Sequence, residues 1–218
     1  MFRTILFMQW TWARNLLLVG TLAAFAIPVV SAHTGDLTSV AGFTVRTYLE
    51  NLQTIGTAYP ILAGVLGLLL AMTAWGPDHR GRHVYALTLP LPRWKYALLR
   101  YAAGLTLLAL PVLALWIAAL IASAGVRLPV GLSTYPTALA TRFALAAVVA
   151  YSAFSAISAG TSRTAAYLLG ALVILLVAQL TLSLANTGLD VVSPAFDAIF
   201  IWPGPLAVFS GRWMLIDV

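Results

Sequence analysis

The sequence predicts an all-α, polytopic membrane protein, and its composition and its long apolar runs predict this class. Of the 218 residues, 61% are hydrophobic and only 8% are charged, whereas a soluble domain carries about 25% charged residues. Five runs meet or approach the roughly 20 apolar residues that a helix needs to cross about 30 Å of hydrocarbon. We therefore expect a single transmembrane domain over residues 1–218, with lipid as its main solvent.

Five apolar segments are predicted to be transmembrane helices. They are, approximately, Leu16–Ser31, Thr57–Trp75, Tyr101–Ala124, Leu139–Ser158 and Thr164–Ala185. The first contains Pro28 and the third contains Pro111, which should kink that helix unless neighbouring groups satisfy the freed carbonyl.

The amino-terminal residues 1–14 are predicted to form a separate amphipathic helix in the membrane interface. Phe2, Trp10 and Trp12 supply apolar surface, and Arg3 and Arg14 supply charge for the headgroups. Two alternatives are an extended first span and a cleavable signal peptide, which the small residues before His33 imitate.

The basic residues predict the orientation of the spans. With the amino terminus in the cytoplasm, the inner segments hold eight of the 12 basic residues, namely Arg3, Arg14, Arg80, Arg82, Arg93, Lys95, Arg100 and Arg163. The outer segments hold three, Arg46, Arg127 and Arg142. Cytoplasmic loops collect Lys and Arg, so the net charge of +6 reflects topology rather than a nucleic-acid partner.

The carboxy-terminal residues 186–218 do not read as an ordinary span. Pro194, Pro203 and Pro205 each lack a backbone donor, so an uninterrupted helix from Asp190 to Val218 is not expected. We predict short re-entrant helices on the outer side, with Asp190 and Asp197 in water and Trp202 and Trp213 near the interface. A distorted sixth span that returns Arg212 to the cytoplasm is the alternative, and a final helix beyond residue 218 is another.

The loop 76–95 is the most specific feature of the chain. Gly76-Pro77 is a turn pair expected to end the second span, and Asp78 would then lie at the start of a short helix. Residues 82–89 are compatible with that helix, with Val84 and Leu87 on one side. The alternative is a basic hairpin that lies on anionic lipid.

This order of elements resembles the cytoplasmic loop of type-2 ATP-binding-cassette permeases. The resemblance implies a coupling helix that docks on a separate ATPase subunit, and its residues would be Asp78, Gly81, Val84, Tyr85, Leu87, Leu89, Pro90 and Arg93. Two features depart from the family: Asp78 stands where Glu is frequent, and a clean sixth span is absent.

The resemblance also implies the partners of the chain. A homodimer or a related permease, with two ATPases, would complete an exporter in a bacterial plasma membrane. ATP and Mg²⁺ would bind the ATPase, and this chain would hold no cofactor and would not be an enzyme. The sequence agrees with this expectation, because it contains no phosphate-binding G-x-x-x-x-G-K-[ST] loop.

A few polar residues inside the spans are candidates for a translocation path. Arg142 is a charge within the fourth span, and intramembrane charges mark functional sites, although its side chain could also reach the outer interface. Tyr151, Ser155 and Ser158, at i, i+4 and i+7 of the same span with Ser152 beside them, form a polar stripe, which either lines a path or packs against another helix.

Other sites and functions are less favoured by the sequence. His79 and His83 are four residues apart and could bind a metal, but the chain has no cysteine and no third ligand nearby except Asp78. The alternatives to a permease are an integral-membrane enzyme acting on lipid and a membrane anchor or assembly subunit.

Overall fold

The structure, a computed structural model, describes residues 1–33, 53–80, 92–125, 132–159, 162–184, 190 and 192–217. The helices are α1 (Phe2–His33), α2 (Ala58–Arg80), α3 (Arg93–Gly125), α4 (Pro136–Ala159), α5 (Ser162–Leu184) and α6 (Val192–Phe200). A 3-10 turn follows at Ala207–Phe209, and β1 (Ser133–Thr134) pairs with β2 (Ile216–Asp217). The predicted all-helical class is confirmed, apart from this two-residue pairing.

Four helices, α1 to α4, are long and apolar enough to cross a membrane. The fifth predicted span is occupied by the 23-residue helix α5. Its apolar stretch among the described side chains, Val173–Leu184, is shorter than a span needs. The structure thus shows four helices able to span a membrane, and the fifth predicted span is not confirmed among the described residues.

The amino-terminal helix is longer than predicted. Residues 1–14 and the first span were expected to be two elements, but α1 is one unbroken 32-residue helix. Ala13 and Leu17, on either side of Arg14 and Asn15, are both buried, so the packed face of the helix continues through these two polar residues. The alternative of an extended first span describes this helix correctly.

Two of these helices continue through an internal proline. α1 continues past Pro28 and α3 continues past Pro111, and both side chains are buried. The apolar span ends at Gly76, where the sequence predicted its end, but the helix α2 itself continues through Pro77 to Arg80. Proline removes one backbone donor but its φ is helical, and a membrane helix that stopped earlier would leave further backbone groups to satisfy.

The four long helices alternate in direction. Trp12 and Trp75 both contact Arg100, and Gly20 faces Leu66, so α1 and α2 are antiparallel. The Tyr101 hydroxyl bonds Ser152, which places α4 beside α3. We call the end where residues 81–91 join α2 to α3 the loop end, and the opposite end of this bundle the tail end.

Small residues line the contacts between these helices. A Cβ atom added at Gly67 would overlap Ala150, and one added at Gly104 would overlap the Tyr151 hydroxyl. Glycine at position 67 therefore permits close contact between α2 and α4. Alanines fill much of the remaining core, including Ala63, Ala71, Ala103, Ala118, Ala146 and Ala147. Such packing by small side chains is typical of helices in lipid.

Large apolar side chains are exposed on the outward faces of the same helices. They include Leu18, Val19, Leu22, Ile61, Met72, Leu98, Leu113, Ile117, Ile121, Leu145 and Val148. Soluble monomers rarely expose apolar patches of this extent. The distribution is that of a protein embedded in a membrane.

The described residues divide into two compact units, Met1–Ser155 with Arg212–Val218, and Ala156–Gly211. In the second unit, α6 begins at an Asx cap, because the Asp190 carboxylate accepts hydrogen bonds from the amides of Val192 and Ser193, both at 3.0 Å. α6 has nine residues and spans about 13 Å at 1.5 Å per residue. The prediction that no continuous helix runs from Asp190 to Val218 is confirmed.

Candidate functional site

The loop end contains a buried arginine enclosed by aromatic rings, which we call the Arg100 cluster (Gln9, Trp12, Trp75, Tyr96 and Arg100). The Arg100 guanidinium lies 5.2 Å from the Trp75 ring centre, 5.3 Å from Tyr96 and 6.0 Å from Trp12. Its side chain is only 2% exposed. These rings come from three helices, so a single cation joins α1, α2 and α3.

Two hydrogen bonds hold this arrangement in place. Arg100 donates from Nη1 to the Tyr96 hydroxyl one turn earlier on α3. Gln9 Nε2 donates to the Arg100 carbonyl at 3.1 Å, from α1. A buried charge is costly unless polar and aromatic groups surround it, and this cluster provides both.

The Arg100 cluster lies next to the predicted coupling loop. Trp75 is one residue from Gly76, and Tyr96 is one residue from Lys95, so both edges of the loop 76–95 adjoin it. Residues 76–80 belong to α2 and residues 93–95 to α3, which corrects both the predicted loop boundaries and the expectation that Asp78 starts a helix. Asp78 instead lies in the last turn of α2, and Arg93 is the first residue of α3.

The remaining predicted loop residues lie outside the described part of the chain. They are Gly81, Val84, Tyr85, Leu87, Leu89 and Pro90, and His83 of the metal hypothesis lies there too. Among the described residues, no group of three or more His, Asp or Glu side chains could hold a metal ion.

The polar stripe of the fourth span lies close to the Arg100 cluster, because it packs on Tyr101, the residue after Arg100. Tyr151 stacks on Tyr101 with ring centres 5.4 Å apart, and the Tyr101 and Ser152 hydroxyls are 2.6 Å apart. Tyr151 and Ser155 are buried. These contacts favour the interpretation that the stripe packs α4 against α3.

The tail end contains a second arginine site, which we call the Arg142 cluster (Tyr59, Tyr135, Arg142, Arg212 and Trp213). The Arg142 guanidinium lies 4.6 Å from the Trp213 ring centre and donates a hydrogen bond to the Arg212 carbonyl. Trp213 is buried and stacks on Tyr59 at 6.4 Å. A Cβ atom at Gly56 would overlap the Trp213 carbonyl, so glycine there allows the tail to approach α2.

The structure separates residues that the sequence grouped together. Arg142 is nine residues before Tyr151, or about 13 Å along α4, so it does not share a site with the polar stripe. Trp213, which the sequence predicted near the membrane interface, is buried within the protein, where it holds the tail against Tyr59 and Arg142. Arg100 was predicted only as one of the basic residues that set the orientation of the spans. The signal that could have revealed the cluster is the presence of Trp12, Trp75 and Tyr96 at the same predicted depth.

No protein-family model matches the chain, and neither the curated proteins nor the solved structures contain a match to it.

Proposed function

We propose that the chain is a transmembrane permease subunit of an ATP-driven exporter, coupled to a separate ATPase through the loop 76–95. The observation that carries this proposal is the Arg100 cluster, which joins α1, α2 and α3 directly beside the two edges of that loop. A loop attached to a rigid junction of three helices can pass a displacement on to all three.

The coupling would then follow the packed contacts into the bundle. α3 carries Arg100 and, at the next position, Tyr101, whose ring stacks on Tyr151 of α4. Movement of the loop by an ATPase would shift α2 and α3 together, and Tyr101 would transfer that shift to α4. The physical requirement is a contiguous set of close contacts, and buried aromatic and glycine contacts supply it.

The proposal includes the environment that the sequence predicts. The amino terminus and the loop would face the cytoplasm of a bacterium, and the tail would lie at the outer surface of the plasma membrane. The short helix α6 and the exposed Asp190 and Asp197 side chains support a location of the tail near water. A second permease would complete the transporter, and ATP and Mg²⁺ would bind only the ATPase.

The test replaces Leu87 by Asp in the proposed docking helix. An unpaired carboxylate in an apolar contact costs a few kcal/mol, so an ATPase encoded beside this chain should no longer co-purify with it. Co-expression with that ATPase in membranes, followed by affinity purification and ATP-hydrolysis assays, measures the effect.

The matched control is Thr88→Asp, which adds the same charge one residue away and about 100° around a helix. The control should retain the ATPase and its stimulated hydrolysis. If Leu87→Asp also retains both, the loop does not dock on the ATPase; if no neighbouring ATPase binds the unaltered chain, the permease function itself is wrong.

A further inference from the structure

The tail end contains a cavity that has no role in the proposed coupling to an ATPase. Its volume is about 240 Å³, and it is lined by Tyr135, Ala138, Leu139, Arg142, Arg212, Trp213 and Met214. At about 30 Å³ per molecule, this is room for roughly eight waters, and it is below the 300–1,000 Å³ of pockets that enclose drug-sized ligands. The cavity therefore suits a small polar group rather than a whole organic ligand.

The chemistry of the lining selects an anion. Two of its seven residues are arginines, and none of the described lining residues is acidic. The guanidinium group presents planar N–H donors that match a phosphate or carboxylate in a bidentate manner. Two such groups at one small cavity favour phosphate, whose several oxygens can accept from both.

The two arginines differ in what positions them. Arg142 is held on the Trp213 ring and by its bond to the Arg212 carbonyl, so its orientation is set before a ligand arrives. Arg212 takes part in that contact through its carbonyl, and it is an exposed residue of the cavity lining. The side chain of Arg212 can thus be altered without removing the carbonyl that Arg142 binds.

An apolar surface continues from the cavity along α4. Leu145 and Val148 are exposed, at 55% and 38%, and lie seven and ten residues after Ala138 on the same helical face. Tyr135, 44% exposed at the rim, is of the type that marks the membrane–water boundary. A small anionic pocket above an apolar stripe matches a headgroup attached to acyl chains.

We propose that this cavity binds the phosphodiester headgroup of an anionic phospholipid, with the acyl chains along Leu145 and Val148. The proposal goes beyond the exporter function and concerns the isolated chain, so its test does not depend on an ATPase. Free inorganic phosphate shares the recognised chemistry, and the experiment separates the two sources.

The experiment is native mass spectrometry of the delipidated full chain in detergent, titrated with phosphatidylglycerol, phosphatidylcholine or inorganic phosphate. We expect one tightly bound phosphatidylglycerol per chain, and weaker binding of phosphatidylcholine. Arg212→Gln removes one charged donor and should weaken phosphatidylglycerol binding about tenfold. Arg3→Gln removes an equal charge from an exposed residue at the loop end and should leave the affinity unchanged.

Three results would overturn the proposal. The first is equal phosphatidylglycerol affinity for Arg212→Gln and the unaltered chain, and the second is equal affinity for the two lipids. The third is inorganic phosphate binding as tightly as phosphatidylglycerol, which would make the cavity a site for the free anion. Circular dichroism of both variants checks that the helices are intact, and Arg212→Lys, which keeps the charge, should recover part of the lost affinity.

Discussion

Arg100 and Arg142 belong to the same helix bundle, yet their surroundings differ in the property that determines their use. On α2, Trp75 contacts Arg100 at the loop end, and Tyr59 stacks on Trp213, the ring that Arg142 contacts at the tail end. These two residues of α2 are about 24 Å apart along the helix. Arg100 is sealed by three rings, whereas Arg142 is half-buried and faces a cavity. An enclosed cation joins helices, and a cation at a cavity can also receive a ligand.

The comparison also shows how differently the two ends are built. At the loop end the contacts described for the Arg100 cluster come from long helices, which are rigid over their length. At the tail end the partner of Arg142 is the irregular segment Arg212–Trp213, which is held by a few contacts and by the β1–β2 pairing. We therefore expect changes at Arg100 to affect the whole bundle and changes at Arg142 to affect the tail alone.

The largest effect is expected for Arg100→Ala. It removes three cation–π contacts worth about 1 kcal/mol each, so the free energy of unfolding should fall by about 3 kcal/mol. Unfolding of the detergent-solubilised chain, followed by circular dichroism, measures this loss. Arg100→Lys keeps the charge but not the planar stacking group and should lose less; an unaltered unfolding midpoint for Arg100→Ala would refute the joining role.

A smaller and local effect is expected for Arg142→Gln. It removes one cation–π contact and one charged hydrogen bond, together worth about 2 kcal/mol, which corresponds to about a 30-fold change in local opening. The readout is hydrogen exchange of the Tyr135 amide, which donates to the Leu215 carbonyl at 2.9 Å. That amide should exchange faster while amides in the middle of α3 keep their rates.

Thr141→Ala is the control for this prediction, since Thr141 is the exposed neighbour and its hydroxyl bonds only within α4, to the Thr137 carbonyl. Its exchange rates should equal those of the unaltered chain. If the Tyr135 amide exchanges at the same rate in Arg142→Gln as in the unaltered chain, the tail is not held by Arg142.

The last prediction changes stability least and tests which side each end faces. The chain has no cysteine, so single cysteines at Ser133 and Thr88 report the tail end and the loop. An impermeant thiol reagent added to intact cells should label Ser133→Cys and should label Thr88→Cys only after permeabilisation. Labelling in the opposite order would reverse the orientation, and would place the Arg100 cluster away from any cytoplasmic ATPase.

The parts of the fold that were predicted correctly depend on local sequence. The long apolar runs predicted the helices, and the prolines after Asp190 predicted the broken tail. Both patterns depend on interactions within a few residues of the chain. Gly76-Pro77 predicted the end of the apolar span but not the end of the helix. The turn preference of that pair is local, whereas the helix continues through it to Arg80, four residues beyond the end of the apolar span at Gly76.

The sequence by itself determined that this is a helical membrane protein with a charge bias along its loops, since hydrophobicity and charge are properties of the residues alone. The tertiary structure decided what the two arginines do. Gln9 and Arg100 are 91 residues apart in the chain, and Arg142 and Arg212 are 70 apart. Whether such residues meet depends on which segments are neighbours, and close contacts between helices, such as those at Gly20, Gly67 and Gly104, contribute to that arrangement.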